Sequence, residues 1–411
     1  MFDESSDNTS EAHNNSSDVT ASSQNQLIQE QLNDFILENE PRRITPNDVD
    51  TILAHCCAIN ASDITLQTNE PIIAEVYGRL CHITKRRLNN AEVGAVLNAI
   101  YGPNGTTQLL SGNDIDTNYE FKPSRMDRFR FRVNGTACLV SGHDGIQITL
   151  RTIPTTPPTM ASMNLPEHIC DYIAPEQGVI YITGATGSGK STLLSSIIGD
   201  IAGQTDSNRK ILTYESPIEF VYDDIKKTTA VVSQSEIPLH LPSFADGVRN
   251  ALRRKPRLIL VGEARDRETI NAVLEAALTG HPVYTTMHTN GVAETIRRLV
   301  GTFPKEERAG KTIDLIETVR MIIWQKLVPT VDKKRVALRE HLVFTDEVRD
   351  MLLEVEHTRI TERTREVLKK HGQTMIMDAK AKYDAGVISD ATFKMLARGT
   401  DFDTANPHAT K

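Results

Sequence analysis

Nine residues, Gly184 to Thr192, read GATGSGKST and fit the pattern G-x-x-x-x-G-K-[ST]. They follow the compact β-branched run GVIYITG. They precede a segment in which Leu193, Leu194, Ile197, Ile198 and Ile201 recur at helical spacing. A strand that enters a glycine-rich turn and leaves as a helix is a phosphate cradle. Gly184, Gly187 and Gly189 let the backbone fold back, so that the amides of Ala185, Thr186, Ser188 and Thr192 can take part in a nest around an anion. The helix N-terminus adds partial positive charge. Lys190 is expected to reach the β and γ oxygens, and Ser191 to place a hydroxyl on Mg²⁺, so that ATP and Mg²⁺ are the expected cofactors. A glycine-rich turn with an incidental lysine would not require the flanking strand and amphipathic helix.

From Ile173 onward, strand-like and helix-like segments alternate: KILTYES, FADGVRNALRRK, RLILVGEA, DRETINAVLEAALTG and PVYTTMH. Such alternation predicts an α/β core with a parallel sheet between helices. Beyond Asn290 the chain is expected to be mostly helical. Earlier, SDITLQT, IIAEVYGRL and FRFRVNGTACLVSG alternate apolar and polar residues between Gly and Asn bends, which predicts an α+β domain. TPNDVDTILAHCCAI reads as a capped helix with Thr45 at the N-cap, and LIQEQLNDFILEN as an amphipathic one. The Pro-rich LRTIPTTPPTM reads as a linker. The expected organisation is an acidic disordered tail (1–25), an N-terminal α+β domain (26–150), a linker (151–160), the ATPase core (161–330) and a mostly helical C-terminal region (331–411).

Parallel sheets bind ligands at the C-terminal ends of their strands. RLILVGEARDRET places Glu263 there, where a carboxylate can orient or deprotonate a water. LTYESPIEF places Glu215 and Glu219 after a second strand, as candidates for positioning water or Mg²⁺. TGHPVYTTMHTN sets His281 and His288 at opposite ends of a third, with His288 at the nucleotide side as a γ-phosphate sensor. Seven residues of strand separate the two histidines by about 23 Å, too far for a shared zinc ion. In the N-terminal domain, MDRFRFRVNG sets Arg128, Arg130 and Arg132 on one strand face, where three guanidinium groups need an anionic partner. Arg151, beside the linker, is a fourth candidate.

The net charge of −8 is uneven, because residues 1–41 carry nine acidic and no basic side chains and the remainder is nearly neutral. No strongly basic surface is expected, hence no direct specific nucleic-acid binding. No apolar run reaches the length of a membrane span, and the polar N-terminus does not read as a secretory signal. The five cysteines contain no C-x-x-C pair and read as buried thiols.

GATGSGKST, YESPIEF, LVGEARDRETI and TGHPVYTTMHTN occur in the order and spacing of the secretion "traffic" ATPases. That family comprises pilus-retraction, type II secretion, type IV pilus assembly and type IV secretion ATPases. The resemblance extends to ASDITLQ, RFRFRVNG and LRTIP in the first domain and to ETIRRLVGTFPKEER beyond the core. It implies a RecA-like P-loop core preceded by a PAS-like α+β domain, a homo-hexameric ring, and ATP hydrolysis driving a membrane-embedded machine. In the family, arginines at the place of Arg128, Arg130 and Arg132 reach a bound nucleotide, as arginine fingers do, and Arg151 is a fourth candidate for that role. TYESPIEFVYD and FRVNGTACL resemble most the Dot/Icm (type IVB) secretion ATPases and their conjugative-plasmid relatives, which implies inner-membrane secretion components as partners and a cytoplasmic, peripherally membrane-associated location. Ser216 stands where pilus-retraction members carry Asp, which moves the weight of water activation to Glu215, Glu219 and Glu263. The alternatives are a pilus motor and a nucleotide-bound scaffold that hydrolyses little.

Overall fold

The computed structural model describes residues 35–124, 127–332 and 334–398. The acidic tail and most of the amphipathic segment LIQEQLNDFILEN lie outside the described residues. The chain divides into two units, Met1–Thr155 and Thr156–Lys411, with the boundary inside LRTIPTTPPTM.

The first unit is a six-stranded antiparallel sheet with helices against one face. Its strands are β1 (Ala61–Gln67), β2 (Ile73–Val76), β3 (Arg79–His82), β4 (Ile115–Phe121), β5 (Phe129–Val140) and β6 (His143–Ile153), in the order β3-β2-β1-β6-β5-β4. Alternation sorts the side chains. Ile64, Leu66, Phe131, Val133, Ile148 and Leu150 join the core with Ile52 and Leu53 of helix Val49–Ala58 and Val96 and Leu97 of helix Asn90–Tyr101. The turn before the first helix is closed by Thr45, whose N–H and Oγ donate to Asp48 at 2.8 and 2.7 Å. β6 runs to Ile153, so the first residues of the expected linker are strand.

The second unit holds a seven-stranded sheet: β7 (Gly178–Thr183), β8 (Lys210–Glu215), β9 (Val231–Glu236), β10 (Leu258–Val261), β11 (Pro282–Met287), β12 (Val319–Pro329) and β13 (Arg335–Val343), in the order β13-β12-β7-β11-β10-β8-β9. Every neighbouring pair is parallel except β12 with β13. Both faces of the central strands β7, β10 and β11 are buried, which explains why these three read as compact runs with few charged residues. Val179 and Tyr181 of β7 face one core with helix Arg267–Leu278, while Ile180 and Ile182 face the other with helix Lys190–Gly203. This is the RecA-like architecture. The expectation of a mostly helical chain beyond Asn290 omits β12 and β13, which extend the sheet past β7. Helices follow them, and Met375 and Ala379 of helix Met375–Asp384 pack on Val328 and Leu338. Among the described residues no helix is long and apolar enough to cross a membrane.

Candidate active site

The C-terminal ends of β7, β8, β10 and β11 open on one cleft of about 230 Å³. Its lining includes Thr186, Gly187, Lys190 and Ser191 from the cradle, Glu215 at the end of β8, Glu219 just after it, Glu263 after β10 and His288 after β11. Residues as distant in sequence as Thr186 and His288 therefore meet because parallel strands present the same end to the same side.

The cradle bends where its glycines permit. Gly187 and Gly189 have φ of 74° and 83°, a region costly for residues with a Cβ. The loop is hooked to the sheet by the Gly184 N–H, which donates to the Met287 carbonyl at 3.2 Å. Lys190 is buried, 8% exposed, with Nζ donating to the carbonyls of Gly184 at 3.0 Å and Ala185 at 2.9 Å. Burial lowers the pKa of its ammonium from the ordinary value, and the carboxylates of Glu263 and Glu219 oppose that shift. An incoming phosphate would add negative charge beside a cation already short of solvation.

The carboxylates differ in restraint. Glu215 is buried, and its Oε1 accepts from Thr213 Oγ at 2.6 Å and Gln234 Nε2 at 3.1 Å. Glu263 is 31% exposed, and its Oε1 lies 3.8 Å from His288 Nε2, too long for a direct hydrogen bond and open to a bridging water. The strand end beneath it is tied down by Gly262, whose carbonyl accepts from Thr286 Oγ at 2.6 Å and whose N–H donates to the Tyr214 carbonyl at 2.7 Å. His281 lies at the other end of β11, near Thr279. Among the described residues no group of His, Cys, Asp and Glu could hold a metal alone. Ser191 lines the same cleft beside Lys190, and its hydroxyl is the side-chain oxygen of the cradle that could meet a cation arriving with a nucleotide.

The arginines of the first unit have the partners the sequence reading did not find. Arg128 Nε lies 2.9 Å and Arg130 Nε 3.3 Å from Glu120, and Arg132 Nη2 lies 2.7 Å from Asp116, both acids being on β4. Arg151, opposite Arg132 in the β5–β6 ladder, has Nε 2.8 Å from Asp63. The same-face guanidinium groups are thus balanced across strands, and that balance removes the electrostatic argument that they require an outside anion. Arg130 is 6% exposed, whereas Arg132 and Arg151 are open at 48% and 69%.

Sequence reasoning missed the support beneath the cradle. Gln325 of β12 donates from Nε2 to the Ser188 carbonyl at 2.7 Å, 137 residues away along the chain. No local spacing signals such a contact.

A family model described as "Type II/IV secretion system protein" matches residues 126–385, more than half of the 411-residue chain. The chain belongs to the type II/IV secretion system protein family. The type IV pilus retraction ATPase PilT of Pseudomonas aeruginosa is 34% identical over 307 residues, 75% of this chain and 86% of that protein. The crystal structure of the ATPase DotB of Legionella pneumophila is 65% identical, with a TM-score of 0.83 over 89% of this chain and 99% of that one. A crystal structure of the pilus retraction motor PilT with ADP is 29% identical, with a TM-score of 0.75 over 86% and 97%. This member of the type II/IV secretion family is an ATPase with a nucleotide-binding core.

Proposed function

We propose that the chain is a hexameric ATPase that hydrolyses ATP with Mg²⁺ to power a type IVB, Dot/Icm-like secretion or conjugative-transfer machine. It would work from the cytoplasmic side of the inner membrane, bound there through secretion-system components. The observation that carries this reading is the 65% identity to DotB across nearly the whole of that structure. The pilus-motor alternative has the weaker support of PilT at 34%, and Ser216 differs from the Asp of that branch.

In this reading Lys190 and the cradle amides hold the β and γ phosphates, and the Ser191 hydroxyl meets Mg²⁺. Glu263 is the base. It follows a strand end tied at Gly262, with His288 3.8 Å away to share a water or sense the γ-phosphate. Glu215, held by Thr213 and Gln234, serves as a fixed acceptor that orients water around the metal, with Glu219 beside it. The family resemblance leaves Arg128, Arg130, Arg132 and Arg151 as candidates for phosphate charge stabilisation, and of these Arg132 and Arg151 are the most exposed.

Steady-state hydrolysis and ATP titration test this together. Glu263→Gln should bind ATP as wild type does and lose roughly 10²–10⁴-fold in turnover, the range of a general base. Turnover within a few-fold of wild type would move the role to Glu215 or Glu219. Negligible hydrolysis by the wild-type ring would favour the scaffold reading instead.

A further inference from the structure

Beneath the cradle, β12 and β13 supply a polar pair inside an otherwise apolar layer. Gln325 and Arg339 are directly opposite in the antiparallel ladder, and both are buried. Gln325 points to the same side of the sheet as Met321 and Ile323, which pack in the core shared with helix Lys190–Gly203. Its contact with the cradle is close enough to limit residue choice. A Cβ on Gly184 would fall 2.4 Å from the Gln325 carbonyl oxygen, and one on Gly189 would fall 2.9 Å from Gln325 Nε2.

The hydrogen bonds run in one direction. Arg339 Nε donates to Gln325 Oε1 at 2.8 Å, and Gln325 Nε2 donates to the Ser188 carbonyl at 2.7 Å. A guanidinium carries only donors, so it forces the oxygen end of the Gln325 amide toward itself and leaves the NH₂ end for Ser188. The Ser188 carbonyl shares a planar trans peptide with the Gly189 N–H. Holding the carbonyl down onto β12 therefore turns that N–H the opposite way, away from the sheet support. Arg339 is held in turn. Nη1 donates to the Asn164 carbonyl at 3.1 Å, its own N–H donates to Asp378 Oδ2 at 2.7 Å, and its carbonyl accepts from Gln373 Nε2 at 3.2 Å. Asp378 belongs to helix Met375–Asp384.

We propose that Gln325 and Arg339 are positioning residues of the nucleotide site. Arg339 sets the orientation of the Gln325 amide, Gln325 sets the plane of the Ser188–Gly189 peptide, and that plane aims a cradle amide at phosphate. The helix Met375–Asp384, which holds Arg339 through Asp378, is then part of the nucleotide site's support rather than an appendage. This deepens the reading of the cradle as the ATP site and rests on it.

The discriminating variant is Gln325→Glu in the full-length protein. It keeps the size of the side chain and its acceptor toward Arg339, and it replaces the donor toward Ser188 with an acceptor. Tenfold or greater rise in KM for ATP in the presence of Mg²⁺ is expected, with kcat reduced by less. Arg339→Met, which frees the amide to turn over, should raise KM as well, and Arg339→Lys should recover part of the loss. A purely structural role would lower the melting temperature and leave KM of the folded enzyme at the wild-type value, and that result overturns the proposal. Lys190→Ala separates the two levels. If it loses ATP affinity while Gln325→Glu does not, the positioning role alone fails. If Lys190→Ala binds ATP normally, the cradle is not the site and both readings fall.

Discussion

Glu92 is a buried carboxylate that fastens three segments of the first unit, and its removal has a calculable cost. Oε1 accepts from the Ile44 N–H at 2.7 Å and from Arg86 Nη2 at 2.6 Å, while Oε2 accepts from the Asn89 N–H and from Arg86 Nη1, each at 3.0 Å. Burial, the largest single influence, favours the neutral acid, but the Arg86 hydrogen bonds, the two backbone donors and the Arg86 charge outweigh it and hold the pKa at about 2 instead of 4.5. Each unit of pKa corresponds to 1.36 kcal/mol, so the charge on Glu92 contributes about 3 kcal/mol to folding at neutral pH. Glu92→Gln keeps the shape, loses the charge and turns one acceptor into a donor that faces donors. The expected loss of about 3 kcal/mol lowers the melting temperature of a unit this size by roughly 6–12 °C. The folded pKa lies below the unfolded one. The contribution is therefore complete above pH 4.5 and is lost as pH falls toward 2. Urea titrations followed by circular dichroism should show wild type and variant separated by a constant gap from pH 7 to 5, closing below 4.5. A gap under 1 kcal/mol at pH 7, or one that persists unchanged at pH 3, would refute the reasoning.

Two further outcomes are expected. His341 is buried beside His168, with Nε2 atoms 3.0 Å apart, and burial, His168 and Arg339 together hold its pKa at about 4 instead of 6.5 against the pull of Asp378. The unfolded chain then binds the extra proton first, so stability should fall by up to about 3 kcal/mol as pH drops from 6.5 to 4, a slope that His341→Gln should flatten in urea titrations. If open arginines act on a nucleotide held by another subunit, Lys190→Ala chains and Arg132→Ala/Arg151→Ala chains should each be nearly inactive and regain activity when mixed, by the trans logic of an arginine finger. No recovery in mixtures that native mass spectrometry shows to contain both chains would sink the assignment across subunits.

How much of this was legible in the chain follows from the range of the interactions. The cradle could be read because its bends, its helix start and its lysine lie within nine contiguous residues, and local stereochemistry suffices to shape them. Glu263 and His288 could be placed because a continuous apolar run marks a buried parallel strand, and the residue after it must emerge at the ligand-binding edge. The alternating Arg128, Arg130 and Arg132 could be set on one face by the period of a strand, but not matched to Glu120 and Asp116, because cross-strand register is a relation between segments rather than a property of either. The same limit hid β12 and β13, whose place in the sheet depends on pairing with β7 and with each other. Only the tertiary structure decided that Lys190 is buried against Gly184 and Ala185, and that Gln325, backed by Arg339, meets the loop from 137 residues away. Spacing along the chain encodes what neighbours do to one another, and long-range packing alone decides which distant polar groups complete a site.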